Sequence, residues 1–287
     1  MTITAAMVKE LREKTGAGFM DSKKALEQCD GNIEKAMEFL RQKGIASAEK
    51  KQNRIAAEGL VATYIENGTG AIVEVNCETD FVAKNDDFKA FVNGLAKHIA
   101  KTKPANLEEL NSSVCPVCNM KIEDAVKDKI ATIGEKISIR RFAVLEGDLA
   151  TYVHNGKIGV LISASKQDET LLKDIALHIA SSAPEFVSRN QIPQEVIDEE
   201  TRIEMGKEDL AKKPENIRAK IVEGRVNKLM AQKCLLEQPF VKNPDQTVQD
   251  LINGKLEIKS FIRWTLGEGL EKRQDNFAEE VMNQMVK

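Results

Sequence analysis

Ala62-Thr63-Tyr64-Ile65-Glu66-Asn67-Gly68 recurs further along the chain as Ala150-Thr151-Tyr152-Val153-His154-Asn155-Gly156. In both copies a β-rich run leads into Asn-Gly, the pair whose tolerance of left-handed backbone suits a tight hairpin turn. The echo continues into helices, where Ala96, His98, Ile99, Ala100 and Pro104 are answered by Ala176, His178, Ile179, Ala180 and Pro184. The closing strands also match. Ile139-Arg140 and Ile262-Arg263 each lead to Glu-Gly, at Glu146-Gly147 and Glu268-Gly269. Repetition on this scale predicts two related α+β halves, each a hairpin, helices and a returning strand. The first copy is longer between hairpin and helix, and Thr79–Asp87 lies in that interval.

Working outward, Gly59 to Ile65 and Ala71 to Cys77 read as the first hairpin. Phe88, Phe91, Val92, Leu95 and Ile99 share one face of a helix that ends before Pro104. Another helix is expected near 120–133, through Ile122, Ala125, Val126, Ile130 and Ile133, followed by a strand from Ile137 to Leu145. The second half is interrupted by two charged helices over 194–235, broken around Lys212-Lys213-Pro214-Glu215, with Pro214 suited to a first helical turn. Val196, Ile197, Ile203 and Leu210 precede the break, and Ile217, Ile221, Val222, Val226, Leu229 and Met230 follow it. An antiparallel helical hairpin projecting from the core is expected.

Residues 1–45 read as three short helices. Ile3, Met7, Val8 and Leu11 form one stripe, ended at Gly16-Ala17-Gly18. Asp21 is placed to cap a second helix carrying Ala25, Leu26 and Cys29. Ile33, Ala36, Met37 and Leu40 follow the Asp30-Gly31-Asn32 turn, Gly44 is read as a helix stop, and Ser47 to Arg54 as a polar linker. A final amphipathic helix carries Phe277, Val281, Met282 and Met285. The expected organisation is a helical domain over 1–55 and a first core half over 56–147. The second half comprises 148–192 and 236–270, with a helical-hairpin insert over 193–235 and a C-terminal module over 271–287.

With 287 residues, 42% of them hydrophobic, the chain can bury a core without disulfide or metal staples. Aromatic residues are only 5%, which argues against a surface for stacking single-stranded bases. The net charge of −3 gives no global basic field, although residues 1–55 are mildly basic. That leaves an RNA- or ribosome-binding module as a rival reading, one that requires steeply salt-dependent binding. No apolar run approaches the roughly 20 residues of a membrane span. Met1 to Glu10 has no basic opening region and soon turns charged, so it does not read as a signal peptide. Five cysteines, odd in number and mostly far apart, point to a reduced, cytoplasmic setting.

Little here suggests covalent chemistry. Gly156-Lys157 is followed by Ile158 and lacks the upstream Gly of a phosphate loop, and the three Gly-x-Gly pairs read better as turns. Cys115-Pro116-Val117-Cys118 has the spacing of a redox pair or half a zinc site. It follows a polar segment rather than a strand and has no second ligand pair nearby, so an incidental pair in a loop is the simpler reading. A thiol oxidoreductase built on Cys115 and Cys118 stands as a second rival. His98 and His178 sit at equivalent helix positions and read as packing residues, whereas His154 falls in an exposed hairpin turn. No nucleophile–base pair can be argued from these residues, and the numerous carboxylates single out no catalytic acid or base.

Thr79-Asp80-Phe81-Val82 has an odd texture for a loop. In one reading Thr79 or Asp80 caps a helix and Phe81 packs in the core. In the other Phe81 protrudes and enters a pocket on a partner. The residues alone favour the first, because most loop phenylalanines fold back on their own core.

The same residues carry a resemblance. Val8-Lys9-Glu10-Leu11-Arg12, Thr15-Gly16-Ala17-Gly18 and Met20-Asp21-Ser22-Lys23-Lys24-Ala25-Leu26 form one long signature, and Glu74-Val75-Asn76-Cys77-Glu78-Thr79-Asp80-Phe81-Val82-Ala83 another. Ile137 to Arg141, Pro184-Glu185-Phe186 and Gln238-Pro239-Phe240-Val241 add to them. With these the chain resembles the bacterial-type translation elongation factor Ts family along nearly its whole length. The resemblance implies a nucleotide exchange factor for the GTPase elongation factor Tu, without covalent chemistry or a cofactor. It also implies a ubiquitin-associated-like N-terminal helical bundle, a two-part α+β core with antiparallel sheets and a coiled-coil helical hairpin that serves homodimers. By the same resemblance Thr79, Asp80, Phe81 and Val82 form the exchange motif, with the Asp-Phe pair entering the GTPase near its magnesium site. Lys23, Ile133, Gly134, His154 and Val241 carry further partner contacts. No membrane or direct nucleic-acid contact is implied. The Cys115–Cys118 segment lies outside the family signature.

Overall fold

The computed structural model describes residues 3–115, 119–210 and 213–271. It is a mixed α+β fold opening with three helices, α1 (Ala5–Thr15), α2 (Phe19–Gln28) and α3 (Ile33–Lys51). Val8, Leu11, Ala25, Leu26 and Ala36 form their shared core, with Ile3, Met7, Ile33 and Leu40 packed against it. Two boundaries differ from the sequence reading. Gly18 rather than Asp21 occupies the cap of α2, and the Asp21 side chain makes an ion pair with Lys43 at 2.6 Å instead. Gly44 does not end α3, which runs on to Lys51, inside the expected linker. A Cβ added at Gly44 would lie 3.1 Å from the Cβ of Ala131, so this glycine serves close approach to another helix rather than a turn. Met37 also departs from its expected stripe and is exposed.

The first repeat comprises β1 (Glu58–Glu66), β2 (Thr69–Cys77), the short α4 (Asp80–Lys84), α5 (Asp86–Thr102) and α6 (Leu107–Ser112). A two-residue ladder follows, β3 (Val114–Cys115) with β4 (Met120–Lys121), then α7 (Ile122–Ile133) and β5 (Ser138–Glu146). Cys115 therefore ends a short strand, contrary to the sequence reading, and Cys118 lies outside the described residues. The helix carrying Gly44 and Ala131's helix are α3 and α7, and they pack along their lengths. Arg41 pairs with Asp124 at 2.8 Å across that contact.

The second repeat comprises β6 (Asp148–His154), β7 (Ile158–Ala164), α8 (Glu169–Ser182), α9 (Gln194–Met205) and α10 (Glu215–Lys233). It ends with β8 (Pro239–Phe240), β9 (Asn243–Thr247), α11 (Val248–Ile252) and β10 (Ile258–Thr265). The two main sheets have corresponding orders, β1-β2-β5 and β10-β7-β6. In each, the returning strand joins the second strand of the hairpin. The correspondence reaches the backbone. Asn67 and Asn155 both adopt φ of 50° before a glycine, and α5 and α8 both end on a left-handed residue, Lys103 and Ala183. The β6–β7 pairing runs in register from Asp148↔Ala164 to His154↔Ile158. Its inner face packs Val160, Ile162 and Ala164 against Leu172, Ile175 and Ile179 of α8.

The described chain divides into two compact units. One holds residues up to Ala62, Val73–Phe142 and the segment from Thr265 on; the other holds Thr63–Ile72 and Ala143–Trp264. In the second unit α9 and α10 pack together around Ile192, Leu210, Val222, Val226 and Met230, joined by Val196, Ile197, Ile221 and Leu229. Ile203 and Ile217, apolar residues of the same pair, remain exposed. Pro214 is the residue that precedes α10 rather than a member of its first turn. The expected helix through Phe277 and Met285 lies outside the described residues.

In the first unit, Glu74 of β2 gathers a buried ionic cluster. Its side chain is fully buried and takes hydrogen bonds from Arg140 Nη1 at 2.9 Å, Arg141 Nε at 2.6 Å and the Gly267 backbone N–H at 2.9 Å. Burial alone would raise its pKa, but the Gly267 N–H and the two guanidiniums outweigh it and hold the carboxyl below its usual range.

Candidate functional site

The Thr79–Val82 motif sits where β2 hands over to α4. Thr79 is extended, at φ −127° and ψ 155°, and its hydroxyl oxygen accepts from the Val82 N–H at 3.4 Å. That satisfies one of the free donors at the helix start. Asn85 ends α4 and at once caps α5, accepting from the Asp87 and Phe88 N–H groups at 2.8 and 3.2 Å. Ala83 and Phe88 are buried and anchor this double cap from below. Phe81 is not. It is 80% exposed, the most exposed large apolar side chain among the described residues. The core reading of Phe81 is thereby overturned, while the capping half of that reading holds at Thr79. The physical reason is phase. A start at Asp80 turns Ala83 inward, and Phe81, two positions earlier on the same turn, faces outward.

The side chains around Phe81 form a small set. Lys84 Nζ lies 6.0 Å from the Phe81 ring centroid and 2.6 Å from Asp80 Oδ2. All three are at the surface, where such a pair is worth about 0–1 kcal/mol. They leave the ring presented rather than covered.

A second turn holds the motif from behind. Gly134 ends α7 with φ of 88°, its N–H bonded to the Ile130 carbonyl at 3.0 Å. Nothing would lie within 4 Å of a Cβ there, so the backbone conformation is what calls for glycine. The next residue, Glu135, reaches the motif. Its Oε2 accepts from the backbone N–H groups of Glu78 at 3.1 Å and Thr79 at 3.0 Å, and its Oε1 accepts from Thr79 Oγ1 at 2.6 Å. Glu78 returns the arrangement. Its Oε1 accepts from the Lys136 N–H at 2.6 Å and from Arg54 at 3.2 Å. Below the turn, Cys77 is buried and its thiol donates to the Thr79 carbonyl at 3.2 Å. Burial first, and the neighbouring Glu135 anion next, push that thiol's pKa up to about 12.

The structure thus brings Thr79, Asp80, Phe81 and Val82 together with the Ile133-Gly134 turn through Glu135. Ile133 is half-buried and Gly134 exposed. Lys23 lies apart on the exposed face of α2, 3.8 Å from Glu27. His154 and Val241 belong to the other unit. His154 is exposed at the β6 end, with Nδ1 3.1 Å from the Tyr152 hydroxyl. Val241 is 40% exposed just after β8, and its backbone N–H donates to His178 Nδ1 at 3.2 Å.

Sequence reasoning missed Glu135 as part of this site. A signal existed, since an acidic residue directly after a helix C-terminus is disfavoured by the helix dipole and asks for partners elsewhere. It also missed the hold of His178 on Val241. Both histidines read as packing residues are buried. Among the described residues no group of three or more His, Cys, Asp or Glu is placed to hold a metal ion. None of the described helices is long and apolar enough to cross a membrane. The site offers an exposed ring on a turn braced by Glu135. A family model described as elongation factor TS matches residues 78–268, which is more than half of the chain and begins at the edge of this motif.

Proposed function

The chain belongs to the elongation factor Ts family, and on that premise we propose that it speeds GDP release from elongation factor Tu by inserting Asp80 and Phe81 beside the partner's magnesium site. The observation that carries the proposal is the exposure of Phe81 on a turn capped by Thr79 and braced by Glu135. A large apolar side chain held in water costs roughly 1.5–3 kcal/mol relative to burial, and a pocket on a partner recovers it.

The mechanism needs no bond chemistry. Phe81 wedges between side chains of the GTPase and shifts the elements that hold Mg²⁺. The metal neutralises phosphate charge, so loosening its site raises the nucleotide off-rate. Exchange factor and nucleotide then weaken each other's binding, and linkage makes that antagonism reciprocal. Lys23, Ile133, Gly134, His154 and Val241 serve as further partner contacts, each at least partly exposed. Exposed Ile203 and Ile217 support a homodimer contact through α9 and α10. The setting is the cytoplasm, where elongation takes place.

The test is release of a fluorescent GDP analogue from elongation factor Tu. Sub-stoichiometric amounts of this protein should accelerate it by multiple turnover. Release that stays at the unassisted rate across all concentrations contradicts the proposal. Steeply salt-dependent RNA binding in its place would favour the RNA-binding rival.

A further inference from the structure

Resting on the exchange reading above, we propose that Glu135 is a positioning residue that holds the Asp80–Phe81 turn in its docking conformation before the partner arrives. Three donors of the motif converge on this one carboxylate: two consecutive backbone N–H groups and the Thr79 hydroxyl. By accepting the hydrogen bond of the Thr79 hydroxyl, Glu135 leaves a Thr79 oxygen lone pair facing the Val82 N–H, which is the bond that starts α4. The direction of Phe81 is therefore set through Thr79 by a residue from a distant part of the chain. The Glu78 carboxylate on the Lys136 N–H makes the link reciprocal, so each turn fixes the other.

Helix energetics do not account for an anion at this place, because the C-terminal end of α7 already carries partial negative charge. Preorganisation does. A turn that is ordered beforehand spares the ordering cost on docking. Without Glu135 the protein still meets its partner through its other surfaces. Fewer of those encounters have Phe81 inserted, so the maximal rate falls while the half-saturating concentration moves little. The chemistry also predicts which substitution is tolerated. In Glu135→Gln the amide oxygen takes over both backbone N–H groups, which share a single oxygen in the parent, and the NH₂ donates to one lone pair of the Thr79 oxygen, which leaves the other for the Val82 N–H. Glu135→Ala provides neither.

The experiment measures GDP release from elongation factor Tu at saturating concentrations of the parent, Glu135→Ala, Glu135→Gln and Phe81→Ala proteins. Amide hydrogen exchange is followed in each free protein. Loss of the charged hydrogen bonds in Glu135→Ala should lower the maximal rate roughly tenfold. Exchange at the Glu78 and Thr79 amides should quicken while the β2 and β5 amides stay protected, and Glu135→Gln should restore most of the rate. A Glu135→Ala protein that reaches the parent's maximal rate overturns the proposal. So does one whose protection collapses throughout β2 and β5, since Glu135 would then be supporting the sheet rather than aiming the turn. Phe81→Ala separates the two readings. If it too releases GDP at the parent's accelerated rate, the reading of Phe81 as the inserted wedge has failed; if the parent itself gives no acceleration, the exchange reading has failed. If Phe81→Ala is impaired and Glu135→Ala is not, only the positioning role has failed.

Discussion

His178, fully buried in α8, accepts the backbone N–H of Val241 on Nδ1 at 3.2 Å, while its Nε2 lies 2.9 Å from the Gln238 side-chain oxygen. The two partners fix one neutral tautomer, with the proton on Nε2, because a second proton on Nδ1 would face another N–H. A buried, neutral imidazole thus pins the exposed Val241 segment to the helix. The same residue was legible in sequence only as a packing histidine in a repeat.

This arrangement predicts a pH dependence. Burial lowers the pKa of His178, against a smaller opposing effect of Gln238, and burial lowers that of His98 as well. Above the ordinary value of about 6.5 both rings are neutral whether folded or not, and the stability is fully present. Below it the unfolded chain takes up protons that the folded chain refuses, so stability is lost as pH falls from 6.5 through the lowered folded values. The urea midpoint should hold between pH 7 and 8 and drop by pH 5.5. A midpoint unchanged at pH 5.5 would show that these rings accept protons without cost.

Glu74 predicts a large stability effect. Removing its carboxylate leaves Arg140 and Arg141, both partly buried, without their shared anion, and frees the Gly267 N–H. Loss of one member of such a cluster costs about 3–5 kcal/mol. Glu74→Ala should show it in urea unfolding. A loss below 1 kcal/mol would mean that water replaces the carboxylate readily.

Gly134→Ala should be destabilising through backbone strain alone. No atom crowds the position, and its φ of 88° is one that alanine adopts only at a cost of about 1–2 kcal/mol. Thermal unfolding reads this directly. Unchanged stability would mean that the end of α7 relaxes to another cap.

Cys77 should be inert. A buried thiol with its pKa near 12 stays protonated throughout the neutral range, and the thiolate is the reactive form. Short exposure of the native protein to iodoacetamide at pH 8, followed by peptide mass mapping, should leave Cys77 unmodified. Modification as fast as in urea would show that the turn over Cys77 opens freely.

Much of the fold was legible because local and repeat signals agreed. The Asn67-Gly68 and Asn155-Gly156 turns, the stripes of α5 and α8 and the matching strands all returned where the spacing put them. What failed depended on tertiary neighbours. Gly44 looks like a helix stop until Ala131 stands opposite it. Asp21 looks like a cap until Lys43 takes its carboxylate. Met37 and Ile203 match an apolar spacing yet stay exposed. At the candidate site the residues alone chose the wrong side for Phe81. The average fate of a loop phenylalanine says nothing of a turn whose inward position is already filled by Ala83. The resemblance carried the other choice, and neither named Glu135: its place after the end of α7 signals only that it needs partners, and those partners, Glu78 and Thr79, lie far away in sequence.

The proposed exchange role rests on the exposed Phe81 ring. The most direct measurement is stopped-flow release of fluorescent GDP from elongation factor Tu by the parent and by Phe81→Ala, with urea unfolding of both. Phe81→Ala should unfold like the parent, because the ring buries little of itself, and should lose most of the acceleration. A Phe81→Ala protein that accelerates release as the parent does would contradict that role, as would one that no longer unfolds cooperatively.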